Sequence, residues 1–142
     1  MSYATPISRR RSPLGAYADL GVETQVMAAS PVRLITLLFD GARAAVAQAR
    51  VHLAQHNTAA RGQAISKAIE IVEGGLKASL DMNAGGELAV SLRNAYDLIV
   101  HNLLQANLNS DAKRLDTADR LLADIGGAWR DANDPKPADG EN

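Results

Sequence analysis

Apolar residues recur at alternating steps of three and four along four long segments of the chain. The first opens at Ser30-Pro31 and carries Val32, Ile35, Phe39, Ala42, Val46, Ala49 and Leu53. The second carries Ile65, Ile69, Val72, Leu76 and Leu80, and the third Leu88, Leu92, Ala95, Ile99, Leu103 and Ala106. The fourth carries Leu115, Ala118, Leu122, Ile125 and Trp129. Such spacing lays one apolar stripe along one side of an α-helix. Ser30 and Pro31 mark a helix start, because a serine oxygen can accept from a free N–H of the first turn and proline lacks only an N–H that is unused there.

The connections QHNTAARG, MNAGG and LNSD are short, and short links between long helices favour antiparallel neighbours. The expected fold is all-α: an antiparallel up-down four-helix bundle with an additional short N-terminal helix or cap, from about Leu14 to Ala28. No segment has the alternation of a strand. Residues 1–13 and 132–142 are proline-containing and polar and are expected to be disordered, leaving 14–131 as the bundle domain.

Composition narrows the picture. With 142 residues, 46% hydrophobic and 22% charged, the chain suits a single domain with a buried core. Five aromatic residues mean that this core is aliphatic and alanine-rich. The absence of cysteine removes disulfide and thiol chemistry and agrees with a cytoplasmic location. A net charge of −1 argues against nucleic-acid binding, and Arg9-Arg10-Arg11 is too short a cluster to change that. No stretch is long and apolar enough for a membrane span, so no membrane insertion is expected.

Candidate chemistry is sparse. Gly85-Gly86 lacks a preceding strand and is flanked by Asp81 and Glu87, which would repel a phosphate, so it reads as a bend between helices. His52 and His56 have metal-ligand spacing, but Leu53 stands where a zinc protease has glutamate, and both read as exposed at a helix end. His101 reads as solvated. The inward Glu-x-x-His pairs of a di-iron bundle are missing, and Glu70, Glu73, Asp97, Asp116 and Asp119 fall off the apolar stripes. No catalytic set, metal site or cofactor is expected.

What remains is apolar surface away from the core. On the side of the first helix opposite its stripe lie Leu37, Gly41, Ala44, Gln48 and Val51, a smooth face suited to a partner helix. The N-terminal segment has its own apolar set, Leu14, Tyr17, Val22 and Val26, suited to a removable cover over that face.

Several stretches together resemble the flagellar secretion chaperone FliS family. They are AYADLGVETQVMAASPVRLITLLFDGA (Ala16 to Ala42), SLDMNAGGELAVSL, LLQANLNSD, and Trp129 near the end of the last helix. The likeness spans about Leu14 to Arg130. The family often has Leu-Tyr-x-Tyr in the third helix, where this chain has Ala95-Tyr96-Asp97-Leu98, keeping one aromatic, Tyr96, which is taken together with Leu34 as a candidate partner-contacting residue. The resemblance implies a cytoplasmic chaperone that binds the C-terminal segment of flagellin, prevents its polymerisation and delivers it to a component of the flagellar type III export gate. It implies client contact by Leu14 and Tyr17, and places Ser30, Pro31 and Leu34 in a motif that seats the first helix. A homodimer is an expectation for the free protein. The competing reading is a non-catalytic helical adaptor or a self-associating structural bundle.

Overall fold

A computed structural model describes residues 29–133. The N-terminal cap expected between Leu14 and Ala28 lies outside the described residues. Four helices follow one another: α1, Pro31–Ala54; α2, Thr58–Ile71; α3, Gly86–Asn109; and α4, Ala112–Asn133. No strand occurs among the described residues. The last turn of α4 takes in Ala132 and Asn133, which the sequence pattern assigns to the tail.

Each boundary has a local cause. Ser30 caps α1 by accepting from the Arg33 N–H at 3.1 Å, with proline in the first turn. Asn57 caps α2, its side chain accepting from the Ala60 N–H at 3.1 Å. At the far end of α2 the helix widens into a π segment, Val72–Leu76, where the Lys77 N–H reaches the Val72 carbonyl, and then tightens into a 3-10 turn, Lys77–Ser79. Gly74 and Gly75 within the π segment are buried.

The bend before α3 needs both of its glycines. A Cβ on Gly85 would stand 2.6 Å from the Ala89 Cβ and 2.7 Å from the Asp81 carbonyl oxygen. Gly86 has φ +57°, a conformation disfavoured for residues with a side chain. The Asp81 carboxylate accepts from the N–H groups of Asn83 (3.0 Å) and Ala84 (2.9 Å), which occupies the donors a phosphate would want. The bend reading holds.

Helix α1 packs against α2 on one side and α4 on the other, and α3 closes the square between them. Cross-links with opposed numbering show that neighbours run antiparallel. Along the α1–α4 seam Asp40 pairs with Arg130 (2.7 Å), Arg43 with Asp119 (2.9 Å) and Arg50 with Asp116 (3.0 Å). Across α2–α3, Arg61 bonds to Asn107 near one end, and Lys77 pairs with Asp97 (2.7 Å) nearer the other. Of the carboxylates that fall off the apolar stripes, Asp97, Asp116 and Asp119 thus clamp helix seams, each such exposed pair contributing little to stability.

The core is built from Leu38, Val46, Ile65, Ile71, Val72, Leu76, Ile99, Leu103, Leu115 and Leu122, all sealed from solvent. Alanines 42, 45, 49, 64, 68, 106 and 118 fill the closest approaches. One member of the predicted stripes departs from expectation. Leu88 is 69% exposed, because it sits in the first turn of α3 at the mouth of an opening rather than against a facing helix.

Three polar side chains are buried among the described residues; Thr36 donates to the Val32 carbonyl at 3.4 Å within α1, and the other two join helices. Asn102 donates to the Leu98 carbonyl (2.9 Å) and accepts from Arg114 (3.1 Å), joining α3 to α4. Arg61, 7% exposed, has no carboxylate among its partners. Its guanidinium donates to the Asn107 side chain (3.1 Å), the Asn107 carbonyl (3.1 Å) and the Ser110 hydroxyl (3.0 Å). Those acceptors sit at the C-terminal end of α3, where free carbonyls carry partial negative charge and compensate a buried cation. Ser110 itself ends α3 in the left-handed conformation, φ 52°.

Arg61→Ala is therefore expected to cost about 2–4 kcal/mol, since three charge-assisted bonds and the packing of a buried side chain are lost together. Arg61→Lys should restore only part of this, an ammonium being unable to span Asn107 and Ser110 as a planar fork does. Urea denaturation of the three proteins measures both effects.

Candidate functional site

The face predicted on α1 is only partly assembled. Leu37, Gly41 and Ala44 line one groove of about 320 Å³ together with Asp40, Ala45, Gln48 and, from α2, Lys67. Leu37 does not point outward as its position on the helical wheel suggests. It is 9% exposed, because α1 buries a broader arc than one stripe, with α2 and α4 on separate flanks. Gly41 is half-buried and Ala44 exposed. Val51 does not join this groove. It is 53% exposed and lines a separate shallow patch with Ala47, Arg50 and Ala54.

Leu34 is half-buried against the core, in keeping with a role in seating α1. Leu14, Tyr17, Val22 and Val26 lie outside the described residues. His56 is exposed with φ 58° in the α1–α2 turn, whereas His52, expected to be exposed, is half-buried and its Nδ1 is sealed without a partner. His101 is exposed. Among the described residues no three His, Asp or Glu side chains gather closely enough to hold a metal ion.

A second opening, lined by apolar and aromatic side chains, is not anticipated by the sequence pattern. It lies between the N-terminal half of α3 and the C-terminal half of α4 and has a volume of about 280 Å³. Leu88, Leu92 and Tyr96 form one wall, Ile125, Ala128, Trp129 and Ala132 the other, and Phe39 of α1 the floor. The periodicity places Leu88, Leu92, Ile125 and Trp129 in a closed core, so the residues are visible but the gap is not. The available signal is Ala128 and Ala132, side chains too small to fill the space facing a leucine ladder.

Three contacts shape this cleft. A Cβ at Gly126 would come within 3.1 to 3.2 Å of the Phe39 ring, so glycine there lets Phe39 sit low in the floor. Phe39 and Tyr96 meet tilted, ring centres 6.4 Å apart at 51°, a favourable aromatic arrangement. The Trp129 indole N–H donates to the Val32 carbonyl at 3.3 Å and ties the end of α4 to the start of α1. Tyr96, carried in the sequence reading as a partner-contacting residue, is 3% exposed and belongs to the core as much as to the cleft.

The described helices thus present an aliphatic-aromatic cleft and a small-residue groove, while Asp40, Arg43, Arg50, Asp116, Asp119 and Arg130 are paired with one another across the α1–α4 seam. Between α2 and α3 lies a third, more polar depression of about 600 Å³, lined by Gly62, Gln63, Ser66, Lys67 and Glu70 among others. Lys67 borders both this depression and the α1–α2 groove. Among the described residues no helix is long and apolar enough to cross a membrane.

Comparison with known proteins adds a relationship to this geometry. The family described as Flagellar protein FliS matches residues 13–136. The chain is 48% identical over 119 residues to the flagellar secretion chaperone FliS of Salmonella typhimurium, covering 84% of this chain and 88% of that one. It is 40% identical over 117 residues to the protein of the same name from Escherichia coli, covering 82% and 86% respectively. With the Vibrio cholerae protein of that name it shares 33% over 119 residues, covering 84% and 87%.

Burial pushes the Tyr96 phenol up from 10.0 to about 12. An acid whose folded pKa is raised contributes stability that is complete below pH 10 and is lost as pH climbs towards 12, by about 2–3 kcal/mol in all. Absorbance at 295 nm should show one tyrosine ionising near pH 12, or with unfolding just below it. That late step should be missing from Tyr96→Phe.

Proposed function

The chain belongs to the FliS family of flagellar proteins, and from that premise we propose that it is an export chaperone for flagellin. It holds the C-terminal segment of flagellin in the cytoplasm, keeps that segment from polymerising, and passes it to the flagellar type III export apparatus. The observation that carries this reading is an unfilled apolar cleft at the α3–α4 seam together with a small-residue groove at the α1–α2 seam, on a bundle that pairs Asp40, Arg43, Asp119 and Arg130 across its α1–α4 seam. The names borne by the relatives, flagellar secretion chaperones, supply the class of client.

Two docking positions support capture of helical segments. The groove with Gly41 and Ala44 has small side chains that admit another backbone closely, and the Leu37 wall gives it an apolar edge. The α3–α4 cleft takes a larger side chain, and a client that covered it would also bury exposed Leu88, worth about 1.5–3 kcal/mol for a full leucine. A segment that folds as it binds gives up part of this gain to ordering, which keeps the complex releasable. Leu14, Tyr17, Val22 and Val26 belong to this proposal as an N-terminal cover whose Tyr17 also touches the client.

Titration with a synthetic peptide of the flagellin C-terminal segment tests the reading. A one-to-one complex with more helix than the sum of its parts, seen by circular dichroism, is the expected result. Absence of any complex at micromolar concentration would favour a self-associating structural bundle. Ala44→Arg, a change on an exposed helical site, should leave thermal stability within about 0.5 kcal/mol. It should weaken the peptide complex at least tenfold by filling the groove.

A further inference from the structure

We propose that Tyr96 is a specificity-determining residue of the α3–α4 cleft: its hydroxyl donates a hydrogen bond to a polar group that the client carries beside an aliphatic side chain. The inference rests on the cleft being a client site. Two polar atoms belong to the aromatic lining, and they are treated differently. The Trp129 N–H is consumed by the Val32 carbonyl. The Tyr96 hydroxyl has no hydrogen-bond partner among the described residues, although the side chain is 97% buried by its 3% exposure. Nor is that oxygen sealed in the interior, the one sealed and unpartnered side-chain atom among the described residues being His52 Nδ1. Tyr96 lines the α3–α4 cleft, and the solvent contact of its hydroxyl is assigned to this opening.

This placement gives the cleft a preference that apolar contact alone lacks. In the free protein, water entering the mouth can satisfy the hydroxyl. A client segment that filled the cleft with hydrocarbon only would expel that water and strand the donor, which is costly. A segment with an aliphatic side chain and, three or four positions along the same helical face, an Asn, Gln, Ser or Thr would fill the cleft and satisfy it. Sites built to pair a polar group reject partners that lack it more strongly than apolar sites reject a change of size. The phenol is a neutral donor throughout the physiological range, so the preference does not depend on pH there.

The test uses the full chain, the flagellin C-terminal peptide as probe, and two variants whose failures differ. Tyr96→Phe keeps the ring and deletes the hydroxyl, and is expected to weaken binding about three- to tenfold, the loss of one hydrogen bond. Its melting temperature should be unchanged or higher, because an unpartnered polar group has been removed. Leu88→Glu puts a charge at the exposed mouth of the cleft and should weaken binding more than tenfold. Weakening by Leu88→Glu with no effect of Tyr96→Phe would overturn the role of the hydroxyl and leave the cleft standing as a client site. A fall in both binding and melting temperature in Tyr96→Phe would make the hydroxyl structural and also overturn it. No effect of either variant would remove the cleft itself from the client path.

Discussion

Everything in this bundle depends on how closely α1 can be approached from two sides at once. Alanines 42, 45 and 49 supply that closeness on α1, met by alanines 64 and 68 on α2 and 118 on α4. Where side chains are this small, helix axes come together and dispersion contacts between backbones replace those between long side chains. The larger aliphatics, Leu38, Ile65, Leu115 and Leu122, then interlock around them. Any enlargement on these alanine seams would push two helices apart rather than one, because α1 is shared.

The two ends of the bundle are finished in different ways. At one end the buried Arg61 fork ties the start of α2 to the end of α3 and the turn beyond it. At the other, α3 and α4 diverge over Phe39 and leave an aliphatic-aromatic cleft, with the Trp129–Val32 bond as its nearest cross-link. Acid–base pairs along the flanks bind seam to seam and leave no cluster of free carboxylates among the described residues. The buried polar fork and the apolar opening thus lie at opposite ends of the same four helices.

The fold was legible because four helices with period-3.6 stripes and short links leave few alternatives. Ser30-Pro31 and Gly85-Gly86 were legible for the same reason, each being a residue type with one geometric use. The cleft was not. Periodicity reports which side of a helix is apolar, but not whether the facing helix brings enough volume to fill the space, and at Ala128 and Ala132 it does not. Leu37 was misplaced by the complementary error: a single stripe cannot describe a helix that buries two flanks. Arg61 escaped notice because an arginine in the first turn of a helix is ordinarily solvated, and its partners lie 46 to 49 residues away. Leu14 and Tyr17 rest on sequence resemblance and Val22 and Val26 on the apolar pattern alone, and all four lie outside the described residues.

The π segment near the end of α2 carries an implication for how this family can vary. A widened turn accommodates one residue more than an α-helical turn would, so residues beyond it are rotated by about 100° relative to a straight helix. Lys77 reaches Asp97 and Leu80 packs on the core from that rotated position. Removing one residue between Val72 and Leu76 would yield a more regular helix and a worse protein, with Lys77 and Leu80 swung off their partners. The length of α2 is thus fixed from its far end, and lineages that lengthen or shorten this chain should do so in the turns, leaving this irregular stretch at constant length.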